Sequence, residues 1–229
     1  MTRIVDLTLK IGEDTLSPPS VNKRLELTTH HRGPGFWQAS EVNMLLHTGS
    51  HVDFGRHCAE DGETAADVSL DRTCGQAIVI DLTFLGEDEP ITVELLEEHA
   101  PAIRDGDVAL CRTDWTEKAW GRFPEYYMRS PYCEPEAAAS LVDQGAKVVG
   151  FDCFSERSAR RPDFTSEDFV VHKAILDRGA ILIQQLTGLS QLPVGVRVPF
   201  FAGFVPIRGA EGSPGRMFAL IEDEEKEER

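Results

Sequence analysis

The chain has 229 residues, 41% of them hydrophobic, which suffices for one large α/β domain with a substantial core. Its formal net charge of −16 argues against nucleic acid or an anionic membrane surface as a partner. No apolar stretch approaches the length of a membrane span, and no basic-then-hydrophobic leader precedes the first apolar run at Ile4, so a cytoplasmic protein is expected. Five cysteines, an odd number with no C-x-x-C pair, suggest neither a disulfide framework nor a zinc ribbon.

Strand-like runs recur along the chain at Arg3–Leu9, Arg24–Thr29, Glu41–His47, Gln76–Leu82, Asp107–Arg112, Lys147–Phe151, Ala180–Leu186, Phe201–Ile207 and Met217–Ile221. Helical patterns fall between several of them. Thr92–His99 follows a strand, Glu134–Gln144 is alanine-rich and ends at Gly145, and Glu167–Asp177 ends at Gly179. Thr165 and Asp168 form a capping-box-like pair ahead of the third helix. Strand–helix–strand alternation from about residue 76 to 186 implies βαβ units in a partly parallel sheet, while the first third and last fifth read as β-rich. No repeat or linker divides the chain, so residues 1–221 are expected to form a single α/β domain, a mixed β-sheet core with flanking helices. Residues 222–229 carry six acids against two bases and read as an acidic tail.

The densest chemistry lies at His47–His57, His-Thr-Gly-Ser-His-Val-Asp-Phe-Gly-Arg-His, which holds three of the seven histidines. Neutral imidazoles with one carboxylate make a ligand set for a divalent ion, Zn²⁺ or Mn²⁺. The spacing restricts the backbone. A straight strand, rising about 3.3 Å per residue, would leave His47 and His51 roughly 13 Å apart, too far to share an ion. A helix would place His51 and Asp53 about 200° apart around its axis. The chain must therefore curl, and Gly49 and Gly55 permit it, giving a strand that runs into a glycine-hinged loop around an ion. The plainer alternative is a polar loop of hydrogen-bonded histidines.

Upstream, Leu16–Asn22 and His30–Gly35 are turn-rich, irregular segments, and His30 and His31 read better as part of a solvated turn than as ligands. Phe36 and Trp37 follow and could wall a pocket for a planar substrate; for Trp37 a place in the core or at an interface is the alternative. Cys58 follows His57 and is expected to be buried and inert. On the third helix, Phe169, His172, Ile175 and Leu176 share the apolar face, so His172 points inward, either bonded to a carbonyl or facing the loop. In Ala180–Leu186, alternation places Gln184 and Gln185 on opposite faces, so at least one amide is expected to be buried and in need of partners.

The run His47-x-x-x-His51-x-Asp53-x-x-x-His57, then His172 on a helix and the later Ile-Gln-Gln-Leu-Thr-Gly-Leu, resembles the putative cyclase family of metal-dependent hydrolases, which includes bacterial kynurenine formamidase and isatin hydrolase. The resemblance implies a swivelling β/β/α-like fold, with His47, His51 and Asp53 as metal ligands, His57 as the catalytic histidine and His172 helping to form the site. Three positions depart from the family motif: Ser50 for Thr, Gly55 for Pro, and Gln184 where formamidases of the family carry a glutamate that helps hold a second zinc. One ion per chain is therefore expected.

The implied activity is hydrolysis of an amide or ester carbonyl, an aryl formamide, cyclic amide or lactone, by a metal-bound water with His57 as general base. His172 and Gln184 would stabilise the oxyanion or orient the water, and Phe36, Trp37 and Ser50 would contact a small-molecule substrate. The family resemblance further implies a homodimer or homotetramer. Two other classes compete. A cupin-like metal oxygenase lacks support, because there is no His-x-His pair and helices separate the strands. A non-catalytic small-molecule binding protein with a structural metal remains the alternative.

Overall fold

A computed structural model of the chain describes residues 1–222; of the acidic tail, residues 223–229 lie outside the described residues. The described residues form twelve strands: β1 (Thr2–Asp6), β2 (Glu26–His31), β3 (Gln38–Asn43), β4 (His51–Asp53), β5 (Gly75–Asp81), β6 (Pro90–Ile91), β7 (Val108–Arg112), β8 (Tyr132–Cys133), β9 (Val148–Phe151), β10 (Ile181–Gln184), β11 (Val198–Phe204) and β12 (Gly212–Glu222). The α-helices are α1 (Leu70–Thr73), α2 (Val93–His99), α3 (Trp115–Ala119), α4 (Glu125–Met128), α5 (Pro135–Asp143) and α6 (Val170–Leu176).

Seven strands close on themselves. β5, β7, β9 and β10 run parallel in that order. β10 pairs antiparallel with β4, β4 with β12, β12 with β11, and β11 with β5, which returns the sheet to its start. β1 adds to the outside of β12. The mixed α/β single domain expected from the strand–helix alternation is thus a barrel-like sheet with helices on one outer flank.

Alternation along the strands sorts side chains into two cores. Inside the barrel lie Val52, Val79, Val108, Leu110, Ile183, Phe200 and Met217. Against the helices lie Ile80, Cys111, Val149, Phe151, Leu141 and Ile175. Leu182 belongs to the helix-facing core while Ile181 and Ile183 face the interior, so Gln184 emerges on the helix side. At Gly150 a Cβ would sit 2.7 Å from the Leu110 side chain, so the interior tolerates no more volume there.

Several elements differ from expectation, each for a local reason. The strand expected over Glu41–His47 ends at Asn43, and His47 lies in the turn that follows. β2 and β3 form a separate hairpin, exposed along its whole length, and His30 and His31 belong to its first strand rather than to a turn. The helix expected from Glu167 is two pieces. The capping box of Thr165 and Asp168 closes a single 3-10 turn over Ser166–Asp168, and Phe169 (φ −81°, ψ 59°) leaves helical geometry before α6 begins. α5 follows expectation, with Glu134 at its N-cap, Pro135 at the first helical position and Gly145 (φ 113°) just beyond its end.

β4 is the structural hinge of the barrel, pairing on one side with β10 and on the other with β12. The chain leaves it through a 3-10 turn over Gly55–His57, and here two glycines meet backbone to backbone: a Cβ on Gly62 would lie 2.3 Å from the Gly55 carbonyl carbon. Gly62→Ala is therefore expected to destabilise the protein by about 1–3 kcal/mol, the usual cost of overpacking, read as a lower midpoint in urea unfolding at unchanged slope.

Candidate metal and active site

β4 places His51 and Asp53 on one face and Val52 on the other, opposite Gln184 and Leu182 of β10. The preceding turn, with Gly49 at φ 70°, brings His47 back over Asp53, and the following 3-10 turn returns His57. The rings of His47 and His57 stack 4.1 Å apart. A Cβ on Gly49 would meet the Ile11 side chain at 2.4 Å, so glycine is required there for space as well as for conformation. Gly212 serves His47 in the same way, since a Cβ there would fall 2.6 Å from the imidazole Cε1.

Asp53 is fully buried at the centre. Its Oδ1 lies 2.7 Å from His47 Nδ1 and 3.3 Å from His51 Nε2; its Oδ2 stands 3.5 Å from His172 Nε2 and is left without a hydrogen bond. Tautomers follow from the outer partners. His51 Nδ1 must donate to the Gly49 carbonyl at 2.7 Å, which turns the bare Nε2 toward Asp53. His172 Nδ1 lies 3.2 Å from Glu156 Oε2 and donates to it, which turns its bare Nε2 toward Asp53 as well. Gln184 donates to Ser155 Oγ at 2.8 Å and approaches His172 Nε2 at 3.3 Å, while its own Oε1 has no partner. The bare Nε2 atoms of His51 and His172 therefore face the Asp53 carboxylate, whose Oδ2, like the Gln184 Oε1 nearby, has no hydrogen-bond partner. That arrangement is costly unless a cation is shared, so the residues present fit a divalent ion. Ligand atoms of His47, His51 and Asp53 lie within 4.8 Å of one another, and so do those of Asp53, His57 and His172.

The electrostatics agree. Burial raises the Asp53 pKa, but His51 and His47 outweigh it and hold the carboxyl well below the usual range. Burial opposes a charge on His47, yet the Asp53 carboxylate prevails and lifts its pKa to about 9. His57 goes the other way: burial first, then the neighbouring His47, push it down to about 3. His57 is thus a neutral ring beside a charged cluster.

Glu156, which the residue patterns did not single out, organises the far side. Its buried Oε2 accepts from the backbone of Val171 at 2.9 Å and of His172 at 3.3 Å, capping α6 from outside while fixing the His172 ring. A carboxylate behind a site histidine sets tautomer and orientation. Phe169 stacks on the other face of His172 with centroids 3.7 Å apart. Glu211, just before β12, was also missed; its Oε1 lies 3.1 Å from His47 Nε2.

These groups form the floor of a cavity of about 360 Å³ walled by Val21, Leu45, Phe154, Phe164 and Phe169, with His47, His51, His57, His172, Gln184 and Glu211 at its base. The irregular segment at 16–22 contributes Pro18, Ser20 and Val21. Phe36, Trp37 and Ser50 do not line it. Phe36 and Trp37 sit exposed at the tip of the β2–β3 hairpin, where Arg32 covers the indole. The Ser50 hydroxyl is committed to structure, donating to the Gln185 carbonyl at 2.6 Å and accepting from Leu9 N at 2.9 Å. Cys58 is half-buried, and burial raises its thiol pKa to about 12.

The family model described as putative cyclase matches residues 5–156. The chain belongs to this family. A kynurenine formamidase from Erythrobacter litoralis is 29% identical over 185 residues, covering 80% of this chain and 76% of that protein. A kynurenine formamidase from Salinibacter ruber is 27% identical, covering 80% and 78%. Isatin hydrolase A from Labrenzia aggregata superposes with a TM-score of 0.81 at 26% identity, over 97% of this chain and 94% of that one. An isatin hydrolase bound to the product analogue thioisatinate gives 0.82 at 22% identity, over 97% and 93%. Metal-dependent amide hydrolysis is the chemistry that this family placement and the His–Asp cluster share.

The shifts predict a pH optimum of stability for the protein stripped of metal by a chelator. His47, raised from 6.5 to about 9, contributes stability that is complete below pH 6.5 and lost as pH rises through 9. His57, depressed from 6.5 to about 3, contributes stability present above pH 6.5 and lost as pH falls toward 3. Thermal melts in chelator should therefore peak near neutrality, and a His47→Gln variant should show a weaker alkaline decline, the remainder belonging to His172, which Asp53 and Glu156 raise against its burial.

Proposed function

We propose that this chain hydrolyses the carbon–nitrogen bond of an aryl formamide or cyclic aryl amide, using one divalent ion, Zn²⁺ or Mn²⁺, held by His47, His51 and Asp53. The observation that carries the reading is the convergence of bare acceptors on Asp53 at the floor of a cavity walled by aromatic rings. The relatives named kynurenine formamidase and isatin hydrolase support it. When bound, such an ion lowers the pKa of a water and polarises a carbonyl.

The chain's own residues supply the rest. His57, kept neutral by burial, takes the proton from the attacking water and returns it to the leaving nitrogen. His172, locked by Glu156, and the Gln184 amide orient the water and the developing oxyanion. Phe154, Phe164 and Phe169 offer flat apolar surface to an aromatic ring and exclude water from the reacting carbon. Gln184 presents a neutral oxygen, a weaker ligand for a second hard cation than a carboxylate, which favours a single ion.

No helix among the described residues is long and apolar enough to cross a membrane. A cytoplasmic homodimer or homotetramer completes the proposal, and an assembly would cover Leu27, Phe36 and Val42 on the exposed hairpin.

His57→Ala should lower kcat by about 10²–10⁴-fold, the usual contribution of a positioned acid–base group, with metal content unchanged by elemental analysis; loss of the ion instead would reassign His57 as a ligand. Wild type should carry one ion per chain, and Gln184→Glu should gain a second. Metal-dependent thermal stability without turnover of any formamide, cyclic amide or lactone would instead identify a binding protein.

A further inference from the structure

We propose that Glu211 sets the charge selectivity of the cavity, so that the substrate is a neutral or cationic aromatic acyl compound and carboxylate-bearing ones are turned away. The inference rests on the hydrolase reading above and names the substrate class within it.

Three observations carry it. Among the described residues that line the cavity there is no Lys or Arg; the hydroxyls of Ser20 and Ser166 are the only polar groups apart from the cluster at the base. Glu211 is the one carboxylate in that lining, and its side chain is 36% exposed, open to the cavity rather than sealed behind the histidines as Asp53 is. Its position is fixed from the backbone, since its carbonyl accepts from Phe54 N at 2.9 Å and the next residue, Gly212, packs directly on the His47 ring.

The charge balance follows. A divalent ion held by neutral imidazoles and Asp53 leaves a net +1 at the floor, which would attract an anionic substituent. Glu211, hydrogen-bonded to the same His47, brings that sum to zero. A carboxylate entering the cavity gives up its hydration to apolar walls, meets no Lys or Arg in the lining and faces Glu211, which is costly. A neutral ring incurs no such cost, and an ammonium group gains Glu211 as a partner.

The test uses the metal-loaded protein with three para-substituted formanilides: unsubstituted, aminomethyl and carboxylate. Wild type should prefer the neutral compound to the carboxylate by at least about 30-fold in kcat/KM, and Glu211→Gln should shrink that ratio by about tenfold while lowering the relative rate for the aminomethyl compound. Equal rates for neutral and anionic compounds in wild type, or a ratio unmoved by Glu211→Gln, would overturn the proposal. Loss of the ion from Glu211→Gln would also overturn it, making Glu211 a ligand. Should none of the three be turned over, the hydrolase reading fails on its own, and calorimetric affinities of the same compounds for wild type and Glu211→Gln still decide the selectivity: the same ranking sustains it, and no ranking by charge ends it.

Discussion

The structure depends on one buried carboxylate. Asp53 sits at the end of a three-residue strand that closes the barrel, laddered to Leu182 on one side and Gly212 on the other, with no solvent access. An ionised carboxylate in such a place is tolerated only when positive charge is brought to it. Closing the sheet and assembling the histidines are therefore coupled: without His47, His51 and His172, a strand seated between β10 and β12 would hold Asp53 protonated or at a large desolvation cost.

A second buried carboxyl shows that this outcome is not automatic. Asp152 is as deeply buried and accepts hydrogen bonds from the backbone of Thr113 and Asp114 and from the Thr113 hydroxyl. Burial nevertheless pushes its pKa up to about 7, and the Glu117 carboxylate adds to the rise. Asp53 lacks such backbone donors and still stays ionised, because imidazoles surround it. The difference lies in what each faces, histidines around Asp53 and the Glu117 carboxylate near Asp152. The acidic group of Asp114, Glu117 and Asp152 is accordingly occupied with its own neighbours, Arg112 on Asp114 and the Gly188 amide on Glu117.

What was legible in the sequence follows from this division. The even spacing of His47, His51, Asp53 and His57 around two glycines encodes the bend that gathers these side chains, so their clustering could be read directly. The βαβ middle of the chain, with its strong alternation and helix signals, was equally plain. Glu156 and Glu211 were not legible, because each acts from a loop where a lone glutamate looks like any solvated charge. The one available signal for Glu156 is its place just after Phe151, Cys153 and Phe154, where a charge has to be matched by partners. Barrel closure was invisible for a different reason: β4 is too short to show any periodicity, and its partners lie more than a hundred residues away. Phe36 and Trp37 were read from residue type and nearness in sequence to the histidine run, and neither can tell a pocket wall from the tip of an exposed hairpin.

The segment from His47 to His57 also explains how one stretch of chain can serve folding and chemistry without conflict. Strand alternation sends His51 and Asp53 to the helix side, while Val52 enters the barrel core and is fully buried. Phe54 continues that burial, packing in the same interior cluster and against Phe204. The apolar residues of the segment thus anchor it in the barrel while the polar ones face outward. Because Val52 and Phe54 are held by tight packing, the backbone between them has no freedom to shift, and the carboxylate that Asp53 presents is positioned to the tolerance of a core rather than of a loop. His57, one turn later, inherits that precision through its stack on His47. A ring that must keep its place beside Asp53 is best carried on the same rigid segment, one turn beyond the strand.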